Sequence, residues 1–381
     1  MKILCIDIGT GTQDIYLFDS RQEIENGYKL VLPSPTLMVN RKLKAAAQAG
    51  RSVLLTGVTM GGGPSQWGAK EVLNNGGMVY ITEQAARTFN DDLEKVTADG
   101  YTLVSEDEAD NLPDHILRLK LQDLDYESIE HAFNLFDIKL TDLSALAVAV
   151  FDHGAAPTDI SDRKFRFDYL DERIKLENRL SAFAYARHDI PAYMTRLQSV
   201  AASAIDVDAS LVVMDTAPAA ILGSLYDHQV RDIPQKIIVN IGNFHTLAFR
   251  LGPTGIEGLF EHHTGLIKSS NLEGYLIGLA DGSLSNNKIF EDHGHGALLY
   301  SKNKYEIPEK PFGVIATGPR RGMLAASRLN PYFPAPFGDM MITGCFGLLS
   351  AVGDVIPNLK DEIDARMNNK SIRSTSPWDL S

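Results

Sequence analysis

The stretch Lys2–Phe18, KILCIDIGTGTQDIYLF, contains two short apolar runs separated by a turn of glycine and threonine. Apolar runs of this length that end at glycine are typical of buried strands, so the stretch predicts a strand–turn–strand hairpin. The segment Lys236–Arg250, KIIVNIGNFHTLAFR, has the same order of apolar run, glycine turn and apolar run. This repetition predicts a chain built from two related halves.

The remaining apolar runs alternate with helical patterns, which favours an α/β fold. Further strands, each running into glycine or a small polar cluster, are predicted at Ser52–Leu55, Ala145–Phe151 and Gly313–Ala316. Apolar spacing predicts helices at Glu83–Val96, Arg173–Ala186, Ala192–Ile205, Thr216–Tyr226 and Asp339–Val352. Gly344 and Gly347 in the last helix indicate close approach of another backbone. Since ligands bind beyond the carboxyl ends of such strands, the glycine-rich segments predict a shared cleft.

Composition narrows the class of protein. A length of 381 residues suggests two domains, and 44% apolar with 22% charged residues is ordinary for a chain with a sizeable core. The net charge of −13 argues against binding to nucleic acid or to an anionic membrane surface, because phosphate contacts need clustered Lys and Arg. No apolar run approaches the roughly 18 residues of a membrane span.

Two cysteines, Cys5 and Cys345, both lie among apolar or small residues and are predicted to be buried thiols. Their number excludes a disulfide framework and a cluster that needs three or four thiolates. Asp7 interrupts the first apolar run, so no signal peptide is predicted. We expect a cytoplasmic protein.

Five motifs, taken in chain order, resemble the duplicated ATPase core shared by actin, Hsp70 chaperones and sugar kinases. They are the first phosphate motif Ile6–Asp14, the connecting helix Asp215–Gly223, the second phosphate motif Ile238–Thr246, the adenosine motif Val314–Gly322 and the final connecting helix Thr343–Ala351. The resemblance implies an α/β fold of two lobes with ATP between them. The lobes would span residues 1–230 and 235–381, with the final helix returning to the hinge. The irregular, acidic segment of about 61–142 is predicted to be an insertion in the first lobe.

The resemblance also implies the residues that bind ATP and Mg²⁺. Those expected at the phosphates are Gly9, Thr10, Gly11, Thr12 and Gln13 in the first turn, and Gly242, Asn243, His245 and Thr246 in the second. Asp7, at the end of its strand, would hold the hydrated Mg²⁺. Gly318 would lie close to a purine, on which Arg320 or Arg321 would stack.

The second phosphate motif departs from the superfamily pattern. Asn240 stands where an aspartate is usual, Asn243, Phe244 and His245 replace glycines, and the turn looks one residue longer before Thr246. An asparagine can orient a metal-bound water but cannot act as a base, which argues against fast hydrolysis.

Within this superfamily, the whole chain is similar to an uncharacterised group labelled "pyruvate formate-lyase activating enzyme-like". Activating enzymes of that kind are radical enzymes that bind an iron–sulfur cluster through three closely spaced cysteines, and this chain has no such motif. We therefore expect no radical activase, while an ATP-dependent partner of another activation system stays open.

Histidines are concentrated in the second half, at positions 245, 262, 263, 293 and 295. The segments Glu261–Gly265 and Glu291–Gly296 have the residue types of a Zn²⁺ or Fe²⁺ site, but neither has an established metal spacing. Adjacent histidines on a strand point to opposite faces, so His262 and His263 cannot easily bind one ion. Loop hydrogen bonding or substrate contact is therefore the favoured interpretation.

Asp152 and His153 follow the strand Ala145–Phe151, where a catalytic acid or base facing the cleft would stand. Capping of the next turn by Asp152 is the structural alternative. Arg163, Lys164 and Arg166 could clamp an anionic substrate, although the surrounding acids favour a solvated, salt-bridged face.

A glycine run, Thr59–Pro64, could bind an anion through its amides, hinge a lid or simply connect two elements. Trp67 beside it is interpreted as a buried anchor rather than as a stacking platform.

Three functions follow from these observations. The first is an ATP-binding protein with Mg²⁺-dependent ATPase or phosphotransferase activity on an unknown small anionic substrate or protein partner. The second is a metal-dependent enzyme that uses the Asp and His segments. The third is a non-catalytic regulator that responds to nucleotide, an option that Asn240 favours.

Overall fold

A computed structural model describes residues 1–368 and 375–379 of the chain. The strands in chain order are β1 (Lys2–Ile8), β2 (Thr12–Asp19), β3 (Tyr28–Pro33), β4 (Val53–Gly57), β5 (Val79–Thr82), β6 (Thr102–Val104), β7 (Leu117–Leu121), β8 (Leu143–Val150), β9 (Ala184–Ala186), β10 (Ser210–Asp215), β11 (Lys236–Ile241), β12 (His245–Gly252), β13 (Gly255–His263), β14 (Gly296–Leu299) and β15 (Ile315–Thr317).

The helices in chain order are α1 (Pro35–Gln48), α2 (Pro64–Asn74), α3 (Glu83–Ala86), α4 (Leu93–Ala98), α5 (Glu106–Asp110), α6 (Tyr126–Asn134), α7 (Asp162–Leu176), α8 (Thr195–Ser203), α9 (Thr216–Ser224), α10 (Ser269–Asp281), α11 (Asn286–Glu291), α12 (Thr343–Val355) and α13 (Pro357–Met367). None of these helices is long and apolar enough to cross a membrane.

Two sheets of the fold repeat one arrangement. In the first sheet the order is β3-β2-β1-β8-β10-β9, and in the second it is β14-β13-β12-β11-β15. In each, three antiparallel strands come first, and the first of them then pairs in parallel with a later strand: β1 with β8, and β11 with β15. This duplication confirms the predicted α/β fold with two lobes of the actin and Hsp70 type.

A third sheet, with all strands parallel and the order β6-β5-β4-β7, stands apart from the two repeated sheets. It has its own apolar core, which includes Leu43, Val53 and Val72. Its first strand in the chain, β4, precedes residue 61, so this sheet begins ahead of the range 61–142 that the sequence indicates for an insertion. The limits of the insertion and of the two lobes, at 230 and 235, stay predictions.

Helices α9 and α12 cross with their backbones in contact. A Cβ atom at Gly223 would overlap the carbonyl of Thr343, and one at Gly347 would overlap the carbonyl of Ala219. The close backbone approach expected at Gly347 is thus present, whereas Gly344 packs against the side chain of Asp7. Beyond α12, Ile363 and Met367 of α13 join the large apolar core that contains residues of β1, β8 and α12.

Two predicted helices are wrong in extent. The segment Glu83–Val96 is broken into α3 and α4, because Asp92 accepts the Glu94 amide (3.1 Å) and so starts a new helix. The segment Arg173–Ala186 is α-helical only to Leu176, and a short 3₁₀ helix follows at Leu180–Phe183. The last residues of the segment form β9, which pairs with the edge of β10, so contact with a distant strand overrides the local helical spacing.

Candidate functional site

A cleft of about 1120 Å³ lies where the three sheets meet. Its wall includes both glycine turns, the run Thr59–Pro64 and the loop after β15. Since the glycine turns follow β1 and β11, the shared cleft that the sequence predicts is present at the carboxyl ends of these strands.

The two turns are equivalent in structure. In the first, the Gly9 amide donates to the Thr12 carbonyl, and in the second the Gly242 amide donates to the His245 carbonyl, both at 2.9 Å. Strand pairing joins Ile8 to Gln13 and Ile241 to Thr246, so the turns have equal length. The expectation that the second turn is one residue longer is therefore wrong. This alignment makes Asn240 the counterpart of Asp7.

The turns approach each other across the cleft. A Cβ atom at Gly11 would stand 2.8 Å from the Asn243 side-chain nitrogen, so a residue larger than glycine would displace that side chain. The loop after β15 closes a third side: Gly318, with φ of +91°, packs its α-carbon against Asn240 and the Ile241 carbonyl. Three backbone segments thus converge at the ends of the two central strands.

Two carboxyl groups face the cleft beside the first turn. Asp7 and Asp14 are direct partners across β1 and β2, and both line the cavity. The Thr216 hydroxyl donates to Asp7 Oδ1 at 2.6 Å, whereas Asp14 Oδ1 has no hydrogen-bond partner among the described residues. A Cβ atom at Gly344 would overlap the Asp7 carboxylate, so glycine is required there.

The surroundings of both acids disfavour the ionised form. Burial raises the pKa of Asp7 to about 6, against the hydrogen bond from Thr216, and burial together with the charge of Asp7 raises the pKa of Asp14 to about 7. A bound cation would relieve both effects. Asp14 is not among the site residues predicted from the sequence, although the pairing of residue 8 with residue 13 in a hairpin is enough to place it opposite Asp7.

We expect Asp14→Asn to raise the free energy of unfolding by about 2–4 kcal/mol in metal-free buffer at pH 8, since each unit of the pKa shift corresponds to about 1.36 kcal/mol. The folded pKa of Asp14 lies above its ordinary value of 3.8, so the wild-type protein loses stability as pH rises from about 4 to about 7. The advantage of the variant should therefore be full at pH 8 and disappear near pH 4. Urea unfolding at the two pH values checks this, and an equal difference at both would contradict it.

Most residues predicted from the sequence line the cleft. They are Asp7, Gly9, Thr10, Gly11, Thr12, Asp152, His153, Asn240, Gly242, Asn243, His245, Gly318 and Arg321. Gln13, Thr246 and Arg320 do not. Gln13 donates to the Pro33 carbonyl (3.0 Å) and Thr246 bonds to the Thr264 hydroxyl (2.9 Å), because each is the next strand residue after a cleft-facing one and so points to the opposite face. The Arg320 side chain is exposed away from the wall.

Asp152 has the geometry of a cap. Its Oδ1 accepts the Gly154 amide (2.8 Å), while its Oδ2 accepts the amides of Arg196 (3.0 Å) and Leu197 (2.9 Å) at the start of α8. His153, by contrast, is exposed on the cleft wall.

A further acid near His153 is not predicted from the sequence. Asp91, in the loop between α3 and α4, lines the same cavity. Burial raises the pKa of Asp91, against the nearby charge of His153. Nothing in the local sequence marks it, since its role depends on the third sheet's position over the cleft.

The prediction of a solvated, salt-bridged basic face is wrong for Arg166. Its side chain is 0% exposed, and its guanidinium donates to Asp215, to Glu261 at 3.2 Å and to the Asp152 carbonyl at 2.9 Å. The prediction is right for Lys164, which is exposed and pairs with Asp168. Arg166 therefore joins the first lobe to β13 of the second.

Glu261 links this ion network to a cluster of histidines. Its Oε1 bonds to Nδ1 of His245 (3.1 Å) and lies 3.8 Å from Nδ1 of His295. Although burial opposes ionisation, the positive charge of Arg166 and the hydrogen bond with His245 hold the pKa of Glu261 below its ordinary value. Burial lowers the pKa of His263 to about 4 and that of His295 to about 3. These two rings are neutral at pH 7.

The glycine run Thr59–Pro64 is fixed by side chains. The Met60 amide donates to Thr88 and the Gly61 amide to Asp123, so these two amides are not directed at a ligand. Trp67, interpreted from the sequence as buried, is 55% exposed and packs edge-on against Phe244 of the second turn, with ring centroids 5.6 Å apart. The third sheet thus touches the second lobe at the mouth of the cleft.

One family of known sequences matches residues 60–323 of the chain, under the description "Putative pyruvate format-lyase activating enzyme (DUF1786)". The chain belongs to this family. The matched range includes β11, the second glycine turn and the histidine cluster. Whatever the family's description says, this chain has two cysteines, fewer than the three closely spaced cysteines of a radical activating enzyme. Both thiols are buried, as the sequence predicts.

Solved structures similar to this chain include the activator of the 2-hydroxyisocaproyl-CoA dehydratase from Clostridium difficile with bound ADPNP. It has 10% identity and a TM-score of 0.33, with 99% of this chain and 100% of that chain covered. The ethanolamine utilization protein EutJ from Carboxydothermus hydrogenoformans has 11% identity and a TM-score of 0.31, with 91% and 89% covered. No match is found among curated proteins. At these scores, the fold assignment depends on the repeated sheet order itself.

Proposed function

We propose that this family member binds ATP with Mg²⁺ in the cleft between its two repeated sheets and acts as a slow ATPase or a phosphotransferase. The observation that supports this most directly is the pair of equivalent glycine turns, which face each other at the ends of β1 and β11 beside Asp7. Main-chain amides in such turns, together with the hydroxyls of Thr10 and Thr12, are suited to phosphate oxygens.

The acid pair fits a magnesium ion. Asp7 and Asp14 supply carboxylate oxygens, the ligands that Mg²⁺ prefers, and Asp14 Oδ1 lacks a partner among the described residues. These two residues would hold the hydrated ion, which when bound would neutralise charge on the phosphates. The adenine ring of ATP would lie beyond Gly318, where the chain passes close to Asn240 and Ile241. Arg321 lines the cleft and Arg320 does not, so Arg321 is the better placed of the two to stack on that ring.

The acid or base of the reaction would be His153. Both oxygens of Asp152 are occupied by main-chain amides, so we assign that residue a positioning role at the start of α8. His153 lies on the cleft wall, where it can receive a proton from a water or a substrate hydroxyl, and Asp91 lines the same wall. Small anionic substrates and protein partners both remain compatible with this cleft.

A nucleotide-responsive regulator is the second candidate, and the equivalence of Asn240 with Asp7 favours it. An amide at this position cannot take a proton from water, so Asn240 cannot serve as the base. Such a protein would bind nucleotide tightly and turn it over negligibly.

Thermal melting with Mg²⁺ and ATP, ADP or GTP tests the proposal. A ligand at a hundredfold excess over its dissociation constant stabilises the native state by about 2.7 kcal/mol. We expect a nucleotide-dependent rise in melting temperature in the wild type and in the exposed control Asp206→Ala, and none in Asp7→Ala. The absence of any nucleotide effect in the wild type would refute the proposal.

Phosphate release then separates the two candidates. A general base typically contributes about 10²–10⁴-fold to the rate, so His153→Ala should reduce turnover by at least the lower figure while leaving the melting shift intact. Tight binding with no measurable turnover in the wild type would identify the regulator instead.

A further inference from the structure

Three histidines from neighbouring strands meet at the edge of the second sheet. His245 begins β12 and is the direct cross-strand partner of His263, which ends β13. His295 stands just before β14, where its amide donates to the Glu261 carbonyl at 2.9 Å. Cross-strand partners point to the same face of a sheet, so the register itself brings the first two rings together.

The ring nitrogens converge closely enough for one ion. One nitrogen from each of His245, His263 and His295 lies within 4.8 Å of the other two. A tetrahedral ion with bonds of 2.0–2.1 Å separates its ligands by about 3.4 Å, so small rotations of the rings would complete the site. The ring centroids of His263 and His295 are already only 4.5 Å apart.

The surroundings of the cluster are those of a metal site. Glu261 is fully buried and bonds to Nδ1 of His245, which leaves the other nitrogen of that ring for an ion. In this buried network the single guanidinium of Arg166 contacts two acidic side chains, Asp215 and Glu261. The neighbouring Arg163 is engaged with the carbonyls of Phe290 and Gly294. His295 Nδ1 has no hydrogen-bond partner among the described residues.

We propose that His245, His263 and His295 bind one divalent transition-metal ion of the zinc class, with Glu261 orienting His245 from outside the coordination shell. Three imidazoles suit Zn²⁺, whereas Mg²⁺ prefers oxygen ligands, so this site is distinct from the acid pair at Asp7 and Asp14. Because His245 lines the cleft, the ion would lie at its edge, and the three-ligand set would leave a coordination position free.

Two nearby histidines, His262 and His293, lie outside this cluster. His262 points to the opposite face of β13, where its ring stacks near Tyr275 with centroids 6.0 Å apart. His293 is exposed and has a φ of +65°. This set differs from the one that the sequence segments suggested, because it takes one residue from the phosphate turn and one from each histidine segment.

Zinc binding to the metal-stripped chain tests the proposal without any nucleotide. Competition with a chromophoric chelator should give one Zn²⁺ per wild-type chain, and elemental analysis after dialysis should give the same ratio. We expect His263→Ala and His295→Ala each to lose stoichiometric binding. His293→Asn, a control in which asparagine tolerates the left-handed backbone, should bind as the wild type does.

Two further measurements test whether each variant is folded and whether the bound ion has the expected coordination. Melting of each metal-free variant shows that it is folded, and Co²⁺ substitution should give visible absorption of a low-coordinate site in the wild type but not in His263→Ala. Asp7→Ala should retain Zn²⁺ binding, which separates this site from the proposed nucleotide site. Failure of the wild type to retain Zn²⁺, or unchanged retention in both His263→Ala and His295→Ala, would overturn the proposal.

Discussion

Replacement of Arg166 by methionine is expected to lower the free energy of unfolding by about 3–5 kcal/mol. The guanidinium is fully buried between Asp215 and Glu261, and it also donates to the Asp152 carbonyl. Methionine preserves much of the volume but leaves two buried carboxylates without their cation, and burial of an unpaired charge is costly. Urea unfolding at pH 7 measures the loss.

The matched control is Lys164→Met on the same helix. Lys164 is exposed and pairs with Asp168 four residues later, and exposed pairs of this kind contribute about 0.3–0.5 kcal/mol. If Arg166→Met does not fold, the triple change Arg166→Met, Asp215→Asn and Glu261→Gln should restore part of the stability, since it removes the unpaired charges. A loss below 1 kcal/mol for Arg166→Met would contradict the burial of the ion network.

Substitution of Gly347 by alanine is expected to destabilise the protein by about 3 kcal/mol, at the upper end of the usual cost of overpacking. The added methyl group would overlap the Ala219 carbonyl of α9, and a main-chain atom cannot rotate away. Helices α9 and α12 would have to separate. Because Gly344 packs against Asp7 one turn earlier on α12, this separation should also weaken the melting shift with Mg²⁺ and nucleotide.

The same substitution at Gly274 gives the control. Gly274 is exposed within α10, and a Cβ atom there meets nothing within 4 Å. Alanine is favoured over glycine in a helix by roughly 0.5–1 kcal/mol, so Gly274→Ala should stabilise the protein slightly. Opposite signs for the two variants in urea unfolding would establish the helix crossing, and stabilisation by both would refute it.

Much of the fold follows from local pattern. The hairpins of β1 with β2 and of β11 with β12 are predicted from glycine turns between apolar runs, because strand formation and tight turns depend on neighbouring residues. The same holds for α9, for α12 and for the two buried cysteines. The candidate site at Asp7, Gly9–Thr12 and the second turn is what the resemblance to the duplicated ATPase core implies.

Other features depend on residues far apart in the sequence. The acids near Arg166 along its own helix predict a solvated face, yet its actual partners stand 49 and 95 positions away. The helix predicted over Arg173–Ala186 fails for a similar reason, since the edge of β10 takes its last residues into the sheet. Local spacing carries no information about which distant surface will cover a side chain.

The sequence by itself determined the duplicated strand–turn–strand units, their glycine turns and the acid at the end of β1, since each depends on backbone freedom and apolar periodicity over a few residues. Only the tertiary structure decided that Arg166 is buried between Asp215 and Glu261, that Trp67 is exposed against Phe244, and that the three histidines meet. Those outcomes depend on strand register and on the packing of separate sheets, which bring together groups that no local pattern connects.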